Sequence, residues 1–405
     1  MQTFEIEGQA HETPFAGGGG QAAQGELTKA QDFLDDADDG FHGALPQAVN
    51  GLPKGLQTMN ENIQVIYVQP PADSEPLDPN ISFKVVHTPF DTDAVPLKAN
   101  EVLVKNLYLS IDPYHRFGLY DPAITQSQFP ATKSGTIIST YGISEVVRSN
   151  NVDFAPGEIL YSWVRWEKFT VVDESNLQYL QKVKHDIGPV YYLGPLGAPG
   201  LTGYAGITQV AKPKKGETIV VSATTGAVGM VVAQVAKRLG LTVVGMASSD
   251  DKVRYLVDEL GLDSAFNYRS VSSLDDALKE HCPNGIDIFF DLVGGQILDA
   301  ALPRMKRGGR IPSAGMISQY NLPHDKRYGL KNLHSIVGMD ITLQSYRNTT
   351  YEQLLVEMQE RLGGWLMEGS MKFKMHIAEG LENLPTAFGG IFSGENFGKT
   401  VVKVL

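Results

Sequence analysis

The stretch that decides the fold is TIVVSATTGAVG, residues 218–229. Its four β-branched residues predict a buried strand, and the apolar segment MVVAQVAKRLG that follows predicts a helix. Between them, small residues recur at Ala223, Gly226 and Gly229. This spacing resembles the dinucleotide fingerprint, in which a pyrophosphate approaches the positive end of a helix. We therefore predict a dinucleotide cofactor bound by Ala223, Gly226, Ala227, Val228 and Gly229; the alternative is a mere tight turn.

Strand-like and helix-like segments alternate downstream of this stretch, in the order LTVVGMA, DKVRYLVDELG, SAFNYRS, IDIFFDLVG and GGRIPSAGM, with helices between them. Such alternation predicts a parallel sheet covered on both faces, a Rossmann doubly wound domain. Upstream, closely spaced short strands with turn residues, among them GTIIST and GISEVVRSN, predict an antiparallel barrel-like domain. The segment YEQLLVEMQERLGGWLMEG, which begins at Tyr351, predicts one further helix. The closing strand in NFGKTVVKVL has no helix after it, so we expect it to return to the first domain.

The composition excludes several other classes. A net charge of -12 over 405 residues argues against nucleic acid or an anionic membrane as a partner. The single cysteine, Cys282, excludes an intramolecular disulfide and a multi-cysteine zinc site. No apolar run approaches the roughly 20 residues that span a bilayer, and no signal core is evident, so we expect a cytoplasmic protein. GGGG and DDADD predict that residues 1–58 form an acidic extension that is disordered or weakly helical; the alternative is a docking or regulatory arm.

The strand LTVVGMA indicates which nicotinamide cofactor binds. An enzyme that uses NAD commonly ends this strand with an acidic residue that bonds the ribose hydroxyls, and no acid stands there in this chain. Ser248 follows the strand, and Lys252 comes one helical turn later. We therefore predict NADP(H), with Lys252 and either Tyr268 or Arg269 beside the 2'-phosphate. The alternative for Lys252 is a solvated lysine at a helix start.

The histidines are scattered without metal-ligand spacing, so we expect no metal site. Hydride transfer to a conjugated or simple carbonyl then needs another electrophilic group, and a tyrosine hydroxyl serves because it donates a hydrogen bond to the developing oxyanion. Tyr320 in AGMISQYN follows a predicted strand at the carboxyl edge of the sheet, where such folds build their sites. A packing tyrosine is an equally good interpretation. Tyr114 in DPYHR is the second candidate for the pocket.

The segments LSIDPYHR, LGAPGLTGYAGI, DLVGG, GGRIPSAGMISQYN, EGLENLPTAF and NFGKTVVKV together resemble one family. It is the zinc-independent medium-chain dehydrogenase/reductases, in the branch of NADP-dependent alkenal double-bond reductases, also called prostaglandin reductases. The resemblance implies a GroES-like substrate domain (residues 59–185 and 374–405) into which a Rossmann NADP-binding domain (186–373) is inserted. It also implies a homodimer. Zinc-dependent relatives carry a cysteine ligand where this chain has Asp112.

The resemblance further implies the reaction and the role of each site residue. NADPH would deliver hydride to the β-carbon of an α,β-unsaturated aldehyde or ketone, with Tyr320 stabilising the enolate. Lys252 and Tyr268 would bind the 2'-phosphate, and Asn396 would lie near the nicotinamide ribose. Tyr114 and Tyr346 would line the substrate pocket. The alternatives are an NADPH-dependent carbonyl or quinone reductase, and a non-catalytic NADP-binding interaction protein.

Overall fold

The computed structural model describes residues 60–71, 76–123, 129–184 and 187–405. The acidic extension predicted over residues 1–58 lies outside the described residues. Within the described ranges, no helix combines the length and the apolar character needed to cross a bilayer.

The strands of the described residues fall into three sheets. They are β1 (Asn60–Tyr67), β2 (Phe83–Phe90), β3 (Val102–Ser110), β4 (Ser139–Ser149), β5 (Ile159–Arg165), β6 (Phe169–Val172), β7 (Gln181–Lys182), β8 (Thr218–Val221), β9 (Thr242–Ala247), β10 (Ser264–Asn267), β11 (Ile286–Phe290), β12 (Met305–Ser313), β13 (Thr342–Ser345), β14 (Met375–Glu379) and β15 (Lys399–Lys403).

The helices range from single turns to three or four turns. The α-helices are α1 (Pro79–Ser82), α2 (Ala198–Ala205), α3 (Ala227–Arg238), α4 (Asp250–Arg254), α5 (Leu274–His281), α6 (Gly295–Ala301), α7 (Ile317–Tyr320), α8 (Ser335–Gly338), α9 (Leu355–Met367) and α10 (Leu384–Ser393). The 3-10 helices are Pro113–Gly118, Glu174–Tyr179, Pro189–Leu193, Leu302–Arg304, His324–Lys326, Asn348–Leu354 and Leu381–Asn383, and wider π turns cover Gly206–Ala211 and Tyr255–Glu259.

One of the three sheets is parallel throughout and has six strands in the order β10-β9-β8-β11-β12-β13. Numbered along the chain from β8, this is the Rossmann order 3-2-1-4-5-6, and the Rossmann prediction is confirmed. The central strands β8, β9 and β11 are largely apolar, as expected for strands of a parallel sheet with helices on both faces. Val220, Val244 and Phe289, for example, are fully buried.

The strand order reverses between β8 and β11, and Ser222 lies at that point. Its hydroxyl donates to the carbonyl oxygen of Phe290 at 3.1 Å and accepts from the N–H of Leu292 at 2.8 Å. Ligands of open α/β sheets bind in the crevice outside the carboxyl ends of the strands at such a reversal. The fold therefore positions a ligand crevice next to the glycine turn.

A second sheet has seven strands and is mostly antiparallel. Its main path is β14-β15-β3-β4-β5-β7, and β6 pairs with β3. The last strand, β15, pairs antiparallel with β3, which lies almost three hundred residues earlier, as Val401 opposite Ser110 shows. The return of the closing strand to the first sheet is thus confirmed, while the residue boundaries of the domains stay a prediction.

Two local expectations were wrong. GTIIST and GISEVVRSN do not form separate strands: Ile137 makes only an isolated bridge, and β4 runs unbroken from Ser139 to Ser149. Gly142 lies inside β4; a Cβ there would lie 2.5 Å from Val164 and 3.2 Å from the Tyr108 carbonyl oxygen, so glycine permits close strand packing. The helix expected from Tyr351 begins with a 3-10 turn and becomes α-helical at Leu355.

Candidate functional site

The glycine turn after β8 forms an open cradle at the start of α3. Ala223 has a left-handed φ of 46°, and its carbonyl accepts from the N–H of Gly226 at 2.9 Å. No side chain caps the helix at Gly226, so the N–H groups around Ala227 and Val228 remain available to an anion. A Cβ at Gly229 would lie 2.5 Å from the Ala223 carbonyl oxygen, so only glycine lets the helix approach the turn this closely. The cradle fits a pyrophosphate.

A group of residues that we call the cationic corner, Ser248, Lys252, Tyr268 and Arg269, lies beyond the carboxyl end of β9. Lys252 is 7% exposed, and its ammonium donates to the Ser248 hydroxyl and to the Gly394 carbonyl oxygen, both at 2.9 Å. Burial, and next the charge of Arg269, lower the pKa of Lys252. Within the described residues, no carboxylate lies within ion-pair distance of this ammonium. A dianionic phosphate would relieve the repulsion between the two cations.

Arg269 and Tyr268 complete the corner. The Arg269 guanidinium donates to the Ser393 carbonyl oxygen at 2.5 Å and lies 5.8 Å from the centre of the Tyr268 ring. The N–H of Tyr268 donates to the carbonyl of Ala247 at 3.0 Å, which keeps Tyr268 beside the end of β9. The structure thus brings together Ser248, Lys252 and Tyr268, three residues that the sequence predicted for the cofactor.

Tyr320 lies at the end of α7, on the loop that follows β12. Its hydroxyl oxygen accepts from the N–H of Met316 at 2.7 Å, and its ring meets Phe117 edge to face at a centroid distance of 4.7 Å. Burial and, more weakly, the charge of Asp291 raise the pKa of Tyr320, while the Met316 bond opposes them. The hydroxyl is therefore protonated at neutral pH, and its hydrogen is not used in the bond to Met316.

The short helix Pro113–Gly118 lies next to this tyrosine. Arg116 Nε donates to Asn321 Oδ1 at 3.0 Å, which joins the helix to the residue that follows Tyr320. Tyr114 is 39% exposed as a whole, but its hydroxyl is enclosed: burial, and next the charge of Asp112, raise the pKa of Tyr114 well above its ordinary value. Tyr114 thus lies on the helix that reaches Tyr320 through Phe117.

Asn396 and Tyr346 have hydrogen bonds of their own. Asn396 Nδ2 donates to the Gly398 carbonyl oxygen at 2.9 Å. The Tyr346 hydroxyl donates to the Thr202 carbonyl oxygen at 2.7 Å, and a Cβ at Gly206 would meet that hydroxyl. Tyr346 therefore packs on the helices that flank the Rossmann sheet, and its role as a pocket residue stays a prediction.

Two buried ionisable residues near the site were missed by the sequence analysis. Lys399 is 2% exposed and contacts Asp112. Asp291 is fully buried at the end of β11, where its carboxylate accepts from the N–H groups of Val293 and Gly294, and burial raises its pKa to about 6. A lysine that opens the apolar strand KTVVK was the available signal, because a buried ammonium needs an acceptor.

Two other features lie apart from these residues. No group of three or more His, Cys, Asp or Glu side chains in the described ranges is arranged to hold a metal ion. A cavity of about 380 Å³ is lined by residues such as Tyr191, Met371 and Phe373, and none of the predicted site residues lines it.

Known proteins match both parts of the chain. A family model described as "Zinc-binding dehydrogenase" matches residues 227–360, and one described as "N-terminal domain of oxidoreductase" matches residues 82–180. The 2-alkenal reductase (NADP(+)-dependent) of Nicotiana tabacum is 42% identical over 311 residues, 76% of this chain and 89% of that protein. The (+)-pulegone reductase of Mentha piperita is 41% identical over 75% of this chain and 87% of that protein. Prostaglandin reductase 1 of Sus scrofa is 36% identical over 81% and 95%.

Solved structures with the same fold include NADPH complexes. CurA from Vibrio vulnificus in complex with NADPH is 31% identical, with a TM-score of 0.75 over 85% of this chain and 99% of that chain. Escherichia coli quinone oxidoreductase complexed with NADPH is 20% identical with a TM-score of 0.65, over 84% of this chain and 99% of that chain, and this likeness concerns the fold alone.

Proposed function

The chain belongs to the NADP-dependent alkenal-reductase branch of the medium-chain dehydrogenase/reductases, and from this membership we propose that Tyr320 stabilises the enolate that forms from the reacting carbonyl compound. The protein is an NADP-dependent oxidoreductase that reduces the carbon-carbon double bond of α,β-unsaturated aldehydes and ketones. When bound, NADPH supplies the hydride that is added to the β-carbon of the substrate.

The observation that carries the role of Tyr320 is its bond with Met316. Because the phenol oxygen accepts the Met316 N–H at 2.7 Å, the hydroxyl hydrogen is available to a substrate oxygen. As the β-carbon is reduced, negative charge develops on the substrate carbonyl oxygen, and a donor at that position stabilises the transition state more than the flat enone. The Met316 N–H also stabilises a phenolate after proton transfer. The α-carbon takes its proton from Tyr320 or from water. Substitution of Tyr320 by phenylalanine tests this role.

For cofactor binding, we assign the pyrophosphate to the cradle of Ala223, Gly226, Ala227, Val228 and Gly229, which is supported by its uncapped helix start. The 2'-phosphate is assigned to the corner formed by Ser248, Lys252 and Tyr268. This assignment is supported by the two adjacent cations there, which have only neutral partners in the described residues. Asn396 is assigned to the nicotinamide ribose. Tyr114 and Tyr346 are assigned to the substrate pocket.

We also propose the domain boundaries, the cellular location and the oligomeric state of the protein. The substrate domain is GroES-like and comprises residues 59–185 and 374–405, and the Rossmann domain comprises residues 186–373. The protein is a cytoplasmic homodimer. The exposed edge strand β13 and the nearby side chains of Leu333 and Val337, which are 50% and 83% exposed, support an interface at that end of the Rossmann sheet. Light scattering on the purified protein tests the dimer.

Replacement of Lys252 by alanine is expected to weaken NADPH binding about 10- to 100-fold and NADH binding less than about twofold. The reason is that a hydrogen bond to a charged group contributes about 1.5–3 kcal/mol, and only NADPH carries the 2'-phosphate. Cofactor fluorescence titration measures both affinities. Lys279→Ala, which removes an exposed lysine from α5, is the matched control and leaves both affinities unchanged. Equal weakening of NADPH and NADH by Lys252→Ala would contradict the phosphate assignment.

A further inference from the structure

We propose that Lys399 is a positioning residue for the reduction, acting through its buried contact with Asp112. In this role it fixes the Pro113–Gly118 helix against Tyr320 and joins that helix to the segment that carries Asn396. The inference rests on the proposed function of Tyr320 and adds a residue to it that contacts neither the substrate nor the cofactor in the assignments above.

The contact between Lys399 and Asp112 is buried, and the ammonium and both carboxylate oxygens have hydrogen-bond partners. The Lys399 side chain is 2% exposed, and its ammonium donates to Asp112 Oδ1 and to the Ile111 carbonyl oxygen, both at 2.7 Å. The other carboxylate oxygen of Asp112 accepts from the Ser110 hydroxyl. Burial raises the pKa of Asp112, but the charges of Lys399 and His115 and the hydrogen bonds from Lys399 and Ser110 together outweigh burial, so this pKa lies below its ordinary value. The carboxylate is therefore ionised at neutral pH.

A buried ion pair is a weak source of stability. Removing two charges from water costs several kcal/mol for each ion, and apolar replacement of such a pair is often neutral or stabilising. We therefore infer that the Lys399–Asp112 pair acts by fixing positions and not by adding stability. It holds the end of β3 and the start of the Pro113–Gly118 helix to the start of β15.

The Pro113–Gly118 helix carries this constraint to Tyr320. Asp112 immediately precedes the helix, and its backbone N–H lies 3.2 Å from His115 Nδ1, within the same turn. Phe117 presents an aromatic contact to the Tyr320 ring at 4.7 Å, and Arg116 bonds Asn321 at 3.0 Å. A displacement of Asp112 thus moves the residues that pack against Tyr320.

Lys399 also ends the connector formed by residues 393–399. Near its beginning, this connector receives hydrogen bonds from the cationic corner, because Arg269 donates to Ser393 and Lys252 donates to Gly394. Near its end, Gly398 has a left-handed φ of 101°, and a Cβ there would lie 2.1 Å from the Lys374 carbonyl oxygen. The connector is therefore held at both ends, and Lys399 links its cofactor side to the substrate side.

The test compares two double variants with the same substitutions. Lys399→Met/Asp112→Asn removes the proposed positioning pair but keeps an oxygen at residue 112 to accept from Ser110. Lys306→Met/Asp287→Asn is the matched control, because that pair has the same 2.7 Å separation but lies at the amino-terminal ends of β11 and β12. Reduction of cinnamaldehyde, or of the enal or enone reduced fastest in a panel, is measured with saturating NADPH, together with NADPH affinity and thermal unfolding.

The Lys399→Met/Asp112→Asn variant is expected to lower kcat about 30-fold, since misplacement of reacting groups by about 1 Å costs about 100-fold. Its NADPH dissociation constant changes less than about threefold, and the control variant keeps the parent kcat. A merely structural role predicts a loss of melting temperature without this selective loss of kcat. A folded Lys399→Met/Asp112→Asn variant with the kcat of the control would overturn the proposal.

Phe117→Leu keeps the test decisive if the pair variant does not fold. It removes the ring contact with Tyr320 and leaves the buried pair intact. We therefore expect kcat to fall about fivefold with unchanged NADPH affinity. An unchanged kcat would overturn the proposal. If both variants fold, the kcat losses from Phe117→Leu and from the pair variant are expected to be non-additive, since both substitutions act on the contact between Phe117 and Tyr320. Failure of the proposed function is separate: it appears as a normal rate in Tyr320→Phe, whatever the pair variant does.

Discussion

Tyr320→Phe is expected to lower kcat/KM for enal reduction about 100-fold, which corresponds to about 2.7 kcal/mol of lost transition-state stabilisation. The substitution removes the hydroxyl, whose oxygen accepts from the Met316 N–H and whose hydrogen is available to a substrate oxygen, and leaves the ring that packs on Phe117. Loss of one oxyanion donor or one general acid typically costs 100-fold or more. Steady-state reduction of an enal panel, followed by NADPH absorbance, measures the effect.

The affinity of NADPH is expected to change less than about twofold in Tyr320→Phe, because the cradle and the cationic corner are untouched. Tyr328→Phe is the matched control. Tyr328 lies on the same loop, and its hydroxyl donates to Asp299 at 3.0 Å, away from Met316. The control is expected to keep the parent rate. A Tyr320→Phe protein that reduces every enal of the panel at the parent rate would show that the Tyr320 hydroxyl does not stabilise the enolate.

Gly229→Ala is expected to weaken NADPH binding about 100-fold and to lower the free energy of unfolding by about 1–3 kcal/mol. The new Cβ would lie 2.5 Å from the Ala223 carbonyl oxygen, 2.7 Å from Thr224 Cα and 2.8 Å from the Thr224 carbonyl oxygen. These neighbours are backbone atoms, so α3 must move away from the turn and the cradle opens. Fluorescence titration and denaturant unfolding measure the two effects.

Gly364→Ala is the control for this substitution, because Gly364 lies inside α9 and a Cβ there would meet nothing within 4 Å. Alanine in an open helical position stabilises by about 0.5–1 kcal/mol, so this variant is expected to gain stability and keep NADPH affinity. Gly229→Ala with the affinity and stability of the parent would mean that close approach of α3 to the turn is not required.

Local sequence was sufficient for the Rossmann part of the fold. Residues 218–229 lie together as strand, turn and helix start, and each piece is specified by its own neighbours: β-branched residues in β8, then Ala223, Gly226 and Gly229. The position of Lys252 relative to β9 is similarly local, since one helical turn separates it from Ser248. Such patterns predict structure because every contact that they require is made within a few residues.

Side-chain contacts between distant segments escaped prediction, although the return of the closing strand to the first sheet was predicted. The partners of Lys252 and Arg269 at Gly394 and Ser393 come from 142 and 124 residues further along the chain, and Lys399 is 287 residues from Asp112. No periodicity encodes such pairings, which arise only when β15 joins β3. The packing role of Gly142 was missed for the same reason, since its lack of a side chain matters to neighbouring strands. The predicted roles of Asn396 and Tyr346 are contacts with the cofactor and the substrate, and the packing of the chain alone does not identify such contacts.

The central claim is that hydride is added to the β-carbon of an enal or enone, and isotope placement tests it most directly. The protein is incubated with an enal and NADPH that carries deuterium at the transferable position, and the product is analysed by NMR. We predict a saturated aldehyde with deuterium on the β-carbon. An allylic alcohol with deuterium on the former carbonyl carbon would contradict the claim.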